Sequence, residues 1–553
     1  MHKYVFFGIK VMSSRIPFEL SVAGNVAVGC LALTMLIASP ARAEATVQRM
    51  SVSGFVITGN TLLSQARLMQ TLARFTGERS LDELKQAALA VQESYREAGY
   101  GAVIAYVPEQ SAANGIATIA VLEGRITHVD VSGNTQFSEA NILRSVPLLA
   151  PGLTPQVQRI DAQIQLANDN PSKQIAVLLE AGAKQGEVTA NITVTEAPVQ
   201  RWTVGLDNTG NAATGHLRAN LGYLNSALWD LDHQVALQFQ FAPEKPSAVA
   251  VVSASYRVPL YAQGMTLNAL AAYSNVDGGS TSTAAGPLQF SGKGEVLGLQ
   301  LTKYLTRLDE VEQRVVLGLD RRAYLNACSV AGLPAGACGT AGASVTVHPL
   351  SIEYTAQASG DRPVNASVSL IHNLALGGTH GSDASFDAVR AGANRDYTSL
   401  RSNASAGLAL PALWRSQVRV AAQLSRDALV SGEQFGLGGA NSVRGYQERE
   451  LLGDSGAFAS VEIYAPDLAR SVGEAFSSVL VLGFVDAGQV SNRLGTPCNG
   501  TSSRCAVWSI GTGLRLGAGP FQFRLDLAQA RRSATRTTRS DIGASFQAIY
   551  SFY

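Results

Sequence analysis

From about residue 200 to its last residue the chain alternates apolar and polar side chains, and that period admits few folds. In "QVALQFQFA", Val235, Leu237, Phe239 and Phe241 fall on one face and Gln234, Gln238 and Gln240 on the other. "FQFRLDL" sets Phe521, Phe523, Leu525 and Leu527 against Gln522, Arg524 and Asp526, and "HLRANLGYL" sets Leu217, Ala219, Leu221 and Tyr223 against His216, Arg218 and Asn220. Such a period belongs to β-strands. A soluble sandwich would bury the apolar side, whereas a membrane barrel would turn it to lipid and leave the polar side on a wet lumen. Period alone does not separate the two.

The end of the chain favours the barrel. "DIGASFQAIYSFY" alternates Ile542, Ala544, Phe546, Ala548, Tyr550 and Phe552 against Gly543, Ser545 and Gln547, with Tyr553 added. An apolar, aromatic final strand is what a barrel needs to close without an edge. Charged residues make up 15% of the chain, and 53 residues are glycine, as expected for a β-rich chain with two apolar environments. With membrane strands of ~10 residues, the region accommodates roughly sixteen strands.

The N-terminus indicates the compartment. Lys3, Lys10 and Arg15 lead an apolar stretch from Val22 to Ala38, followed by "SPARAEA" with Ala41 and Ala43 at the small positions of a cleavage site. Residues 1–43 are therefore expected to be a signal peptide. A membrane anchor helix lacks a positive stop flank here, and a lipoprotein cut before Cys30 conflicts with the apolar run continuing past it. Beyond Ala43 no run of eighteen apolar residues occurs.

Four cysteines remain as two close pairs, Cys328 with Cys338 and Cys498 with Cys505, each in a Gly-rich stretch. Three connectivities are open. Pairing within each loop is the simplest and suits an oxidising compartment, while the spacings do not suit a four-thiolate zinc site.

Residues 52–197 read differently. "SVSGFVITGNT" is a strand and turn, "LSQARLMQTLARF" and "SLDELKQAALAVQESYREAGY" are amphipathic helices, and "AVIAYVPEQ" and "GIATIAVLEG" are strands. In the second helix Leu81, Leu84, Ala88 and Val91 recur at helical spacing, and Ser80 with Glu83 forms a capping box. The order then restarts. Gly59-Asn60-Thr61 aligns with Gly133-Asn134-Thr135, Ser64 with Ser138 and Ala66 with Ala140. "VQRIDAQIQLANDNP", "QIAVLLEAG" and "EVTANITVTEAP" complete the second copy. Gly-Asn suits a turn with positive φ, and Ser caps the helix that follows.

A net charge of +1 gives no global field for nucleic acid. Neither a P-loop nor any catalytic or metal-ligand constellation is present, so no catalytic residue, metal or cofactor is expected. Gly436, Gly438 and Gly439 lack the strand-to-helix context of a phosphate loop.

A signal peptide, two such repeats, an alternating C-terminal region and "VRGY" (Val443, Arg444, Gly445, Tyr446) together resemble the outer-membrane transporters of two-partner secretion, of the haemolysin secretion/activation type, in the superfamily of the BamA-like insertases. The repeats resemble polypeptide-transport-associated (POTRA) modules, with "YREAGYGAVIAYVPEQ" in the first and "LANDNP" in the second similar to the family's motifs. The resemblance implies a fold of two α+β POTRA domains, 50–124 and 125–198, before a transmembrane antiparallel β-barrel at 199–553. It also implies an inward-folding loop at about 432–456, whose Arg444 meets Asp486 of the wall motif Phe484, Asp486, Gly488. A lumen-facing carboxylate needs solvent or a partner, and a guanidinium fork can supply one.

The implied function is secretion of a haemolysin- or adhesin-like exoprotein across the outer membrane of a Gram-negative bacterium. The POTRA modules would lie in the periplasm and capture the unfolded substrate, and the barrel would form the pore. The implied partners are that exoprotein and outer-membrane lipid or lipopolysaccharide, with the transporter acting as a monomer. The alternative is a barrel-assembly insertase of BamA or TamA type, whose members usually carry more POTRA modules. About seven residues between Ala43 and the first POTRA strand cannot form a ~30 Å helix with a linker, so no plug helix is expected.

Overall fold

The computed structural model describes residues 49–110, 115–211, 214–247, 249–275, 279–283, 286–290, 293–325, 343–500 and 502–553. The expected signal peptide, Cys30, Cys328, Cys338 and the segment where a plug helix would begin lie outside the described residues.

The first module contains β1 (Arg49–Val52), β2 (Gly54–Thr58), α1 (Gln65–Leu72), β3 (Gly77–Ser80), α2 (Leu81–Glu97), β4 (Val103–Tyr106) and β5 (Ile116–Glu123). Its main sheet has the order β2-β5-β4, with β2 parallel and β4 antiparallel to β5. The capping box forms, with Glu83 N donating to Ser80 Oγ at 3.3 Å and Ser80 N donating to Glu83 Oε2 at 2.8 Å. Leu84, Ala88 and Val91 are buried, but Leu81 is 50% exposed. The apolar face therefore starts one turn after the cap. The short β3 between the helices was not apparent in the sequence pattern.

The second module follows with only Gly124 between them: β6 (Arg125–Ser132), α3 (Glu139–Ser145), α4 (Val157–Asn168), β7 (Lys173–Ala181) and β8 (Glu187–Glu196). Its sheet order, β6-β8-β7, repeats that of the first. The first module has its own core, built around Leu68, Leu84, Val91, Tyr95 and Ile119. The second module's core, around Ile126, Phe137, Ile142 and Ile192, runs on into Tyr261 and Tyr304 of the next part of the chain.

That part is a closed antiparallel barrel of sixteen strands. They are β9 (Gln200–Asp207), β10 (Arg218–Leu228), β11 (His233–Phe241), β12 (Ala250–Leu260), β13 (Met265–Asn275), β14 (Lys293–Tyr304), β15 (Val311–Leu325), and β16 (Val345–Val347, resuming after His348 as Pro349–Ala358). Then come β17 (Val364–Asn373), β18 (Thr398–Ala409), β19 (Arg415–Ser425), β20 (Ser455–Tyr464), β21 (Ser478–Ser491), β22 (Arg504–Ala518), β23 (Phe521–Ala530) and β24 (Ile542–Phe552). β24 pairs with β9, Gln547 opposite Asp207 and Phe552 opposite Trp202, which closes the ring.

The outer face is apolar and open: Leu237, Phe239, Val252, Leu267, Leu297 and Leu299 are all exposed. β21 shows the alternation cleanly, with Leu482, Phe484, Asp486 and Val490 buried inward and Val481 and Val485 exposed outward. A sandwich core would reverse this pattern. Lipid takes the place of a core outside, and polar groups gather within.

Candidate functional site: an inward loop clamped to the barrel wall

The stretch between β19 and β20 does not extend outward. Phe435–Leu437 pairs with Leu451–Gly453 as a short hairpin, and its apolar side packs inside the barrel. Leu437, Val443, Tyr446 and Leu451 form a cluster with wall residues Phe458, Val490 and Val507.

Arg444 is at the centre and is 1% exposed. Its Nε donates to Asp486 Oδ2 at 2.7 Å and its Nη2 to Oδ1 at 2.8 Å, a two-pronged match to a fully buried carboxylate. Its backbone N also donates to Asp486 Oδ2, at 3.1 Å. Two further carboxylates approach, Glu462 at 2.7 Å and Asp526 at 3.4 Å, and Ser460 Oγ accepts at 3.2 Å. The guanidinium lies over the Phe484 ring, 3.4 Å from its centroid. That ring lies against Gly511, where a Cβ would come within 2.3 Å of it. The fork geometry and the aromatic face both favour arginine over lysine here.

The remaining residues of both motifs have defined places. Gly445 has φ +91°, and a Cβ there would press on Ala528 O at 3.0 Å. A Cβ on Gly488 would meet Leu437 at 2.6 Å, so Gly488 makes room for the loop's apolar side. The Tyr446 hydroxyl donates to Arg532 O at 2.6 Å and accepts from Arg532 N at 3.3 Å. Val443 is fully buried.

The acidic shell around Arg444 is larger than the two motifs indicated. Asp526 is also held by Arg515 at 2.7 Å and Arg524 at 2.8 Å, and Glu462 lies 3.7 Å from Arg419. An acidic residue at an inward position of an apolar strand was the available signal, in "VEIYAP" and "RLDLAQ".

Both ends of the loop are held as well, by residues the sequence did not single out. Buried Glu433 accepts from Arg322 at 3.0 Å, Arg401 at 3.3 Å and the Tyr324 hydroxyl at 2.7 Å. Buried Asp454 accepts from Arg390 Nη2 at 2.9 Å, Leu429 N at 2.9 Å, Gln434 Nε2 at 3.0 Å and Arg493 N at 2.8 Å.

A second polar junction joins the second module to the periplasmic turns of the barrel. Lys173 Nζ, fully buried, donates to Asp232 Oδ2 and to Asn141 Oδ1, both at 2.6 Å. The Tyr261 hydroxyl donates to the same Asp232 oxygen at 2.6 Å. Asn170 donates to Ser226 O at 2.8 Å, and Ser172 to Pro198 O at 2.9 Å. The turn that receives them, 229–232, has positive φ at Trp229, Asp230 and Asp232. Asp169 extends further, to Arg257 at 2.8 Å and Arg314 at 3.4 Å on the inner wall, with the Tyr304 hydroxyl also bonded to it. The "LANDNP" segment is thus the docking face of the second module.

The repeated Gly-Asn-Thr turns proved to be structural. In the first, Thr61 N and Leu62 N donate to Glu123 Oε1 at 2.7 and 2.9 Å, joined by the Thr61 and Tyr95 hydroxyls. In the second, Thr135 N, Gln136 N and Phe137 N donate to Glu196 at 2.9, 2.8 and 3.1 Å. Asn60 and Asn134 close the turns onto Leu63 O and Phe137 O. Burial raises each carboxyl's pKa, but these donors outweigh it and hold both below the ordinary range. Cys498 and Cys505 form a disulfide in the loop between β21 and β22. Among the described residues no group of side chains suits a metal ion.

Comparison with known proteins agrees with this geometry. A family model described as haemolysin secretion/activation protein ShlB/FhaC/HecB matches residues 186–516, and one described as POTRA domain, ShlB-type, matches residues 50–124. The chain is 22% identical to the outer membrane transporter CdiB of Dickeya dadantii (strain 3937) over 467 residues, 83% of this chain and 79% of that protein. It is 28% identical to the heme/hemopexin transporter protein HuxB of Haemophilus influenzae over 160 residues, 28% of each chain. Among solved structures, CdiB from Escherichia coli superimposes with a TM-score of 0.74 at 17% identity, covering 94% of this chain and 93% of that one. CdiB from Acinetobacter baumannii gives 0.66 at 16%, covering 91% and 90%.

Proposed function

The chain belongs to the haemolysin secretion/activation protein family, outer-membrane transporters of two-partner secretion, and from that premise we propose how its parts divide the work. The barrel spans the outer membrane with the POTRA region in the periplasm. The modules at 50–124 and 125–198 receive an unfolded exoprotein of haemolysin or adhesin type, an extended segment adding to an exposed strand edge of a module sheet. The second module passes it to the lumen, and the loop carrying Arg444 holds the barrel in its transport-competent form. The transporter works as a single chain in lipopolysaccharide-bearing membrane.

The observation that carries this reading is the position of Asp169. It ends the last module's second helix and touches Arg257 and Arg314 on the barrel's inner wall, so whatever the module holds is released at the mouth of the lumen. The loop's role is supported by the buried charge around Arg444. Removing one partner of such a group leaves the others uncompensated, at a cost of about 3–5 kcal/mol.

The test is secretion. Deleting the gene should stop release of one exoprotein into the medium while other outer-membrane barrels assemble normally. Arg444→Ala should lower that release with little change in the amount of folded barrel, and Arg444→Lys, which keeps charge but loses the fork, should fall between. Unchanged release in Arg444→Ala would remove the loop from the mechanism.

A further inference from the structure

The inward loop leans on one side of the barrel only. Its buried residues Val443, Arg444 and Tyr446 face β20 to β23. Across the lumen a cavity of about 640 Å³ remains, walled by β12 to β19 and bordered on the loop side by Asn441. The wall there is neutral and hydrogen-bonding: Asn268, Gln300, Thr355, Gln357, Ser367 and Asn403 all line it. Register makes much of it continuous, with Asn268 opposite Gln300, Thr355 opposite Ser367, and Ser367 opposite Asn403. Its charges sit mostly at the borders and are matched. Arg257 and Arg314 meet Asp169, and Arg419 meets Glu462, leaving Glu353 as the one carboxylate lining the cavity.

We infer that the exoprotein crosses as an extended chain along this neutral strip, while the loop stays clamped to the opposite wall. The inference rests on the reading of the chain as a secretion pore. Size decides the conformation. A helix ~10–12 Å wide crossing a ~30 Å layer would fill roughly 2,400–3,400 Å³, several times the space present. An extended segment advances ~3.3–3.6 Å per residue, so about nine residues span the layer at once.

Chemistry decides the wall. A neutral hydrogen bond exchanged between side chain, water and peptide is worth about 0.5–1.5 kcal/mol net, shallow enough for a chain to slide. Fixed charge or exposed apolar surface would hold particular segments and stall others. The strip's periplasmic end is where Asp169 of the second module touches the wall, so the handover point and the track adjoin.

Single cysteines at Gln300, Ser367 and Asn403, and at Ser509 beneath the loop as a control, can be placed in the full chain and studied in planar bilayers. A negatively charged methanethiosulfonate reagent should cause a stepwise loss of conductance at the first three and none at Ser509. In cells, photoreactive residues at the same positions should crosslink the exoprotein whose release stops on deleting this gene, again only along the strip. Loss or crosslinking at Ser509 with silence along the strip, or silence at all four, overturns the path. A disulfide between cysteines replacing Leu437 and Gly488 should leave release intact. If it abolishes release, and a reductant restores it, the clamped-loop clause fails. Release that continues after gene deletion refutes the secretion reading instead.

Discussion

The two modules share a fold and a turn, yet only the second is built into the barrel. On the aligned helix, Leu68 and Ile142 are both fully buried in their cores. The residue before each differs. Arg67 is exposed, whereas Asn141 is 1% exposed, accepting from Lys173 and donating to Asp230 O at 2.8 Å. The first module's core is self-contained, and the second's includes Tyr261 and Tyr304 of the barrel. One repeat keeps the shared scaffold free at its outer surfaces, and the other has converted the same surfaces into a fixed mount.

The contrast breaks most sharply at Lys173. Lys173→Met leaves Asp232 buried without its charge partner, and an expected loss of about 3–5 kcal/mol falls on the junction. Limited proteolysis of the membrane-embedded protein should then cut between second module and barrel, with the first module's own resistance unchanged. Equal loosening of both modules would show that they are one mechanical unit.

Next in size are the shared turns. Glu123→Gln keeps the shape but weakens the contact with the Thr61 and Leu62 amides, and about 1–3 kcal/mol of first-module stability is expected to go. Glu196→Gln should do the same in the second module but by less, because that carboxylate is more open to solvent. Hydrogen exchange at residues 59–63 and 133–137 measures each.

Acid should act through the same two groups. A carboxyl whose folded value is depressed contributes stability that is present above its unfolded value, about 4.3, and is lost as pH falls through the lower folded value. Both turns should therefore loosen together below about pH 4. If only one opens, the turns are not equivalent. The smallest effect is expected at Arg67→Ala, within about 0.5 kcal/mol, against a clear loss of docking in Asn141→Ala.

What the sequence disclosed follows the range of the physics involved. The barrel was legible because lipid outside and water inside impress a two-residue period on every strand. The helices and the capping box were legible because their signals lie within four residues. The Gly-Asn-Thr turns were recognisable as turns, but Glu123 lies 62 residues from Thr61, and no local pattern links them. Arg444 and Asp486 were paired through family resemblance, while Glu462 and Asp526 were masked as ordinary polar members of alternating strands. The mount at Lys173 stood just past "LANDNP", whose purpose became apparent only when the barrel turn at 229–232 was brought against it.

The ring that closes where β24 meets β9 has a consequence for the chain's own biogenesis. The partners Asp207 and Gln547 are separated by almost the whole barrel sequence, so no closed intermediate exists until the final residues have been made and delivered. Until then the first and last strands expose unpaired edges and a continuous greasy face, in a compartment where such surfaces aggregate. A chain devoted to exporting another protein must therefore first be escorted itself, and any shortening of its last strand should trap it on the way to the membrane.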